Sequence, residues 1–219
     1  SVGAHTLTAT FTPADSGNYQ TASVSVPLTV TKATPVVTWP APGTVGYPTA
    51  LGPGQLNASA NVAGVFDYAP SAGSVLTVGS HTLTATFTPD DGTSYTSASA
   101  TALLSVRRGT PTVAWPPPAA ITYGTLLDGA QLNATASVAG TMLYVPPAGT
   151  LLPAGTHMLG VMFTPADSDN YASTTGGTSI TVNKATPAVA WAAPASIVYG
   201  TPLSAMQLNA TTGVAGAFA

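Results

Sequence analysis

Three histidines are the side chains of this sequence best suited to general acid–base work: His5, His81 and His157. Each stands beside a threonine, and an imidazole against a hydroxyl is the raw material of nucleophilic catalysis. Catalysis, however, needs one converging set with an orienting partner. Here the same His–Thr neighbourhood recurs at a fixed interval along the chain, which points to a hydrogen-bonded structural histidine. No catalytic residue, no cofactor site and no enzyme activity are expected. Five aspartates offer a second chemistry. Asp15 lies in "ADSGN", Asp90 and Asp91 in "DDGTS", and Asp167 and Asp169 in "ADSDN". Carboxylate and carbonyl oxygens at such spacing could ligate calcium, and these five are the only metal candidates. The chain has no glutamate to complete an EF-hand loop. Aspartate and asparagine in these positions also favour tight turns by bonding their own backbone.

Two further modifications are suggested by pattern. Asn57, Asn133 and Asn209 each begin an Asn-x-Ser/Thr acceptor. Lys32 and Lys184 occupy the kind of position used by Lys–Asn isopeptide crosslinks. Arg108 takes their place in the middle of the chain and cannot form one.

The interval that relates the histidines relates everything else. Trp39, Trp115 and Trp191 are 76 residues apart, as are Gln55, Gln131 and Gln207, and Tyr19, Tyr95 and Tyr171. A solenoid unit is roughly 20–45 residues long, so this period describes a small domain instead. The expected organisation is a train of modules. Residues 1–34 are the back half of one repeat, 35–110 and 111–186 are complete repeats, and 187–219 is the front half of another. The chain reads as a window cut from a longer array. The two halves are complementary apart from the counterpart of "YAPSAGSVL" (68–76). The 187–219 half could therefore be completed by the 1–34 segment of a neighbouring chain, by strand donation.

Composition narrows the partners. Charged residues make up 5% of the chain, against roughly 25% in an ordinary domain. The four bases form no patch, so nucleic acid is excluded as a partner. No apolar run reaches the roughly 18 residues of a membrane span, and there is no cysteine to staple the fold. A neutral surface of Thr, Ser, Ala, Asn and Gln does little to discourage contact with other copies, head to tail or laterally.

The elements that position these residues read as strands. "HTLTATF" (81–87) alternates, with Leu83, Ala85 and Phe87 on one face and threonines on the other. "QLNASANV" (55–62), "VFDY" (65–68) and "SASATALLSV" (97–106) are expected as strands, with "PVVTW" (35–39) first and "TVGY" (44–47) a short edge. Turns separate them at "PAPG", "GPG", "PSAGS" and "PDDGTS". Six or seven short strands per repeat predict an all-β protein of tandem antiparallel sandwiches. Trp39, Tyr47, Leu56, Tyr68, Leu83 and Phe87 are the expected core.

These motifs carry a family resemblance. "TPTVAWPPPAAITYGTLLDGAQLNATASVAG" (110–140) followed by "GTHMLGVMFTPADSDNY" (155–171) resembles the bacterial immunoglobulin-like repeat domain. Two stretches depart from its pattern: "VGYPTAL" (45–51) and "DGTSY" (91–95). The resemblance implies an Ig-like β-sandwich in large exported or cell-surface bacterial proteins, with no enzyme activity and no defined ligand. The junctions "LTVTKATPVVTW", "LSVRRGTPTVAW" and "ITVNKATPAVAW" hold no Gly/Ser linker, and their proline fixes φ. Semi-rigid modules follow, each adding roughly 35–45 Å of length. The expected role is an extracellular stalk or fibre segment. The alternative is an adhesion module, in which polar ladders or exposed aromatics contact glycans or another cell.

Overall fold

The computed structural model describes residues 1–219. It is all β, with sixteen strands and no helix. The chain forms two compact units, one of Ser1–Thr110 with Asp167–Ala172, the other of Pro111–Ala166 with Ser173–Ala219.

The first unit opens on an antiparallel hairpin, β1 (Gly3–Phe11) and β2 (Ala22–Val30), with Gly3 opposite Val30 and Phe11 opposite Ala22. A complete repeat follows: β3 (Val37–Thr38), β4 (Val45–Gly46), β5 (Ser59–Ala60), β6 (Gly64–Ala69), β7 (Gly79–Pro89) and β8 (Ala98–Arg107). One sheet has the order β4-β8-β7-β6, and β3 pairs with β5 in a second. The alternation in β7 buries Leu83, Ala85 and Phe87 while the threonines stay on the outer face, and β8 does the same with Ala102, Leu104 and Val106. Leu51, Leu83, Leu104 and Val106 form the centre of the core. Trp39, Val45, Tyr47, Leu56 and Leu76 pack against it. Trp39 and Leu56 flank the two-stranded sheet, so the core lies between two β layers.

The second unit repeats this plan: β9 (Val113–Ala114), β10 (Ile121–Thr122), β11 (Thr135–Ala136), β12 (Gly140–Val145), β13 (Gly155–Pro165) and β14 (Thr174–Asn183). Each of these strands begins and ends 76 residues after its counterpart in the first repeat. Trp115, Leu127, Leu132, Leu152, Leu159, Val161, Ile180 and Val182 make the core. The unit closes on a short antiparallel pair, β15 (Val189–Ala190) and β16 (Thr211–Thr212).

Three expectations change. The short edge at 44–47 forms, but it runs parallel to β8, with Val45 beside Val106 and Gly46 beside Arg107. "QLNASANV" is a strand only at Ser59–Ala60, and "PVVTW" only at Val37–Thr38. Side chains take the backbone groups that a longer ladder would use. Gln55 O accepts from the Trp39 indole at 3.1 Å, and Ala58 N donates to the Tyr68 hydroxyl at 3.1 Å. Leu83 and Phe87 are fully buried as expected. Trp39, Tyr47, Leu56 and Tyr68 are only half-buried, and Leu51, Leu104 and Val106 complete the interior instead.

Candidate functional site

Each histidine does the same thing. Nε2 of His5, His81 and His157 bonds the carbonyl four residues upstream, on Ser1, Thr77 and Pro153, at 2.7 Å in all three. The glycine two residues before each sits at φ +132, +137 and +136, a region that side chains rarely adopt. The Gly-x-His motif is therefore a strand entry: glycine makes the turn and the imidazole ties it down.

The tryptophans are equally uniform. The indoles of Trp39, Trp115 and Trp191 donate to the carbonyls of Gln55, Gln131 and Gln207 at 3.1, 3.0 and 2.9 Å. Each glutamine amide oxygen accepts from the backbone N–H three residues earlier, at Gly52, Asp128 and Ser204. The glutamine closes a turn and the tryptophan fastens that turn to the sandwich. Tyr68 and Tyr144 meet Trp39 and Trp115 edge-on at 5.5 and 5.2 Å.

The calcium candidates lie in three separate loops. Asp15 accepts from the Asn18 backbone and side-chain amides, and Asp167 accepts from those of Asn170. Asp91 accepts from Thr93 N and Ser94 N at 3.0 Å and from the Thr93 hydroxyl. Asp90 lies next to that turn, its N–H bonded to Ala63 O, and Asp169 presents its carbonyl to Arg108. No three metal-capable side chains gather anywhere. The Asn170 amide holds Asp167 below its ordinary range. The Thr93 hydroxyl, aided by Ser94, pulls Asp91 from 3.8 to about 2. A depressed folded-state value stabilises above the unfolded one and is lost as pH falls through it. The Asp91 turn is therefore expected to stay formed at pH 4 and to open between about 3.8 and 2. Amide shifts of Thr93 and Ser94 in an acid titration report this directly, and Asp91→Asn should abolish the inflection.

Asn57, Asn133 and Asn209 are exposed. Two of the cations at the repeat junctions reach main-chain carbonyls. Lys32 Nζ bonds Gly92 O, and Arg108 Nε donates to Asp169 O at 3.2 Å.

That second bond belongs to a seat which sequence reasoning missed. Within the first unit, the segment Asp167–Ala172 bonds Gly109 on both sides, through Gly109 N to Asn170 O and Ala172 N to Gly109 O. Asn170 Oδ1 accepts from Val78 N at 2.9 Å, and the Tyr171 ring stands edge-on to Tyr47 at 5.1 Å. The loop before β8 holds Ala33 in the same way, through Ala33 N to Ser94 O and Thr96 N to Ala33 O. In the second unit the equivalent seat is an open hollow of about 380 Å³ lined by Tyr123, Pro153, Ala154, Lys184 and Ala185. The signal in the sequence was the cation recurring at 32, 108 and 184 beside an Asn-Tyr pair recurring at 18–19 and 170–171.

Two apolar faces are open. In the complete repeat Leu83, Phe87 and Leu104 are 0%, 1% and 0% exposed, while their counterparts Leu7, Phe11 and Leu28 in the hairpin are 52%, 69% and 43% exposed. At the other end Trp191 is 60% exposed, against 8% for Trp115. Trp191, Val189, Leu208 and Phe218 line an apolar trough of about 300 Å³.

No protein-family model and no curated protein matches this chain. Among solved structures it is similar to the fibronectin(III)-like modules of Clostridium thermocellum CbhA. Identity is 18%, over 68% of this chain and 95% of that one, with a TM-score of 0.26. So loose a likeness carries no argument, and the β-sandwich assignment stands on the sheets described above.

Proposed function

We propose that this chain is a stalk or fibre segment of an exported or cell-surface bacterial protein, related to the bacterial immunoglobulin-like repeats whose motifs it carries. Its work is mechanical reach, and it performs no chemistry of its own. One observation supports this reading above the others: the tryptophan and histidine anchors recur at the same place in each repeat. The Trp–Gln bond and the His–carbonyl bond each occur three times with the same partners. An active centre would be a departure from such uniformity, and none of these anchors departs from it. The adhesion alternative would call for clustered exposed aromatics on a complete repeat, and there Tyr123 alone among the aromatics is largely exposed.

The test is small-angle scattering on this chain and on versions carrying one and two additional complete repeats. The maximum dimension should grow by roughly 35–45 Å per repeat. A dimension that stays constant as repeats are added overturns the reading.

A further inference from the structure

We infer that the outer sheet face of the second complete repeat, residues 111–186, docks onto the same face of a second copy of this chain, the two related by a two-fold axis. The inference goes beyond the stalk reading, by naming a lateral partner, and does not depend on it.

The two complete repeats share an interior but not an exterior. Inward, Leu83, Ala85 and Phe87 of β7 become Leu159, Val161 and Phe163 of β13, all buried. Outward, Thr82, Thr84 and Thr86 become Met158, Gly160 and Met162. On the edge strands, Asp67 and Ala69 of β6 become Leu143 and Val145 of β12. Leu143, Val145, Met158 and Met162 are 58%, 64%, 75% and 46% exposed. The outer face of the first repeat keeps two large apolar side chains, Val65 and Leu103, at opposite corners. Its Asp67 is the kind of edge-strand charge that keeps copies of a sheet apart, and Leu143 removes that charge.

Cross-strand register sets the outward residues in rows. Met162 lies between Leu143 and Thr175, and Gly160 lies between Val145 and Gly177. The glycine row is thus a trench, with a methionine on either side of it along β13. Neither glycine has a positive φ, and Thr84 and Thr101 fill the matching positions in the first repeat. A Cβ on Gly160 would meet only Val145 O, at an ordinary 3.6 Å. The fold does not require glycine there, and glycine weakens a strand interior. What it provides is room for another surface to approach closely.

A trench and a projecting Met158 on one face fit a copy of that face turned about a two-fold axis, each methionine entering the partner's trench. Stacked sheets lie about 10 Å apart, and unbranched, flexible methionine fills irregular gaps of this kind. Charge agrees with a second copy as the occupant. No Asp, Glu, Lys or Arg lies between Asp128 and Asp167 or on β14, so neither copy strands a charge. The four apolar side chains expose roughly 500 Å² per copy, toward the upper end of what monomers leave open. Two such patches bury about 1,000 Å², the lower bound for a specific interface, so the dimer should be weak and depend on concentration. A lipid surface would call for basic residues around the apolar ones, and β12, β13 and β14 hold none.

Sedimentation equilibrium tests this on the whole chain. The weight-average mass should rise from 21.6 kDa toward twice that value as concentration increases. Leu143→Asp and Gly160→Thr each install the residue of the first repeat, so both should fold. Each should weaken association by roughly tenfold or more, with the melting of the second repeat retained. Gly160→Thr is the sharper of the two, because it fills the trench and leaves every apolar side chain in place. Thr84→Gly, the converse change in the first repeat, should leave the mass curve unaltered. In a mixture of isotope-labelled and unlabelled chains, nuclear Overhauser contacts should run from the Met158 methyl to the α-protons of the partner's Gly160 and Gly177. A mass fixed at 21.6 kDa at every concentration overturns the inference. So does association that survives both substitutions, which would place it on another surface. So does a monomer that binds phosphatidylcholine vesicles through Leu143, which would make a lipid the occupant. Each of these outcomes leaves the stalk reading standing, since that reading depends on the growth of length with added repeats.

Discussion

Phe163→Ala is expected to destabilise the second complete repeat by about 3–5 kcal/mol. The ring is 1% exposed. It lies opposite Met142 in the four-stranded sheet, and its Cζ closes over Gly140. Truncation loses the transfer free energy of the ring and leaves a cavity that two thin β layers fill poorly. A domain near the lower size limit holds a net stability of about 5 kcal/mol or a little more, so most of it would disappear. Calorimetry should resolve two transitions, with the altered repeat melting well before its sibling. The same change at Phe11, 69% exposed in the hairpin, should shift neither transition and stay within about 0.5 kcal/mol. Equal effects at the two positions would mean that the hairpin already has a packed interior.

Gly140→Ala should cost about 1–3 kcal/mol although it adds a single carbon. A Cβ there would stand 2.4 Å from the Thr164 carbonyl oxygen and 2.5 Å from Phe163 Cζ. The carbonyl belongs to a paired strand and the ring to the core, so neither can withdraw cheaply. Gly64 meets Thr88 O and the Phe87 ring at nearly the same distances, and Gly64→Ala should behave alike. Gly129→Ala is the control, because its Cβ would enter open space with an ordinary φ. That substitution should be neutral or slightly stabilising, through a less flexible unfolded chain. Denaturant midpoints of the three variants decide the matter.

How far these features could be read beforehand varied with how local their cause is. β7 and β13 were legible because alternation is written in neighbouring residues: threonine outward, leucine and phenylalanine inward. The period of 76 was legible for the same reason. Leu56–Val62 alternates in burial as a strand would, yet makes a ladder of only two residues. The interruption comes from Trp39 and Tyr68, which are distant in sequence and take its backbone groups by side chain. The parallel pairing of β4 with β8 joins Val45 to Val106, a choice that no short window encodes. Among the site candidates, the histidines announced their repetition but not their partner carbonyl. The seat for Asn170 and Tyr171 was invisible because its parts come from Tyr47, Val78 and Arg108. Composition could flag those residues, but only the fold brings them together.

The uniform offset of the strands has an evolutionary consequence. A genetic exchange that cuts one copy after Val37 and rejoins it after Val113 removes one repeat and restores every pairing partner, because both positions begin the same strand of successive repeats. The reverse exchange inserts a repeat equally cleanly. Gene slippage, ordinarily ruinous to a folded core, here shortens or lengthens the protein in whole steps. Selection can then tune its span without inventing a new interior.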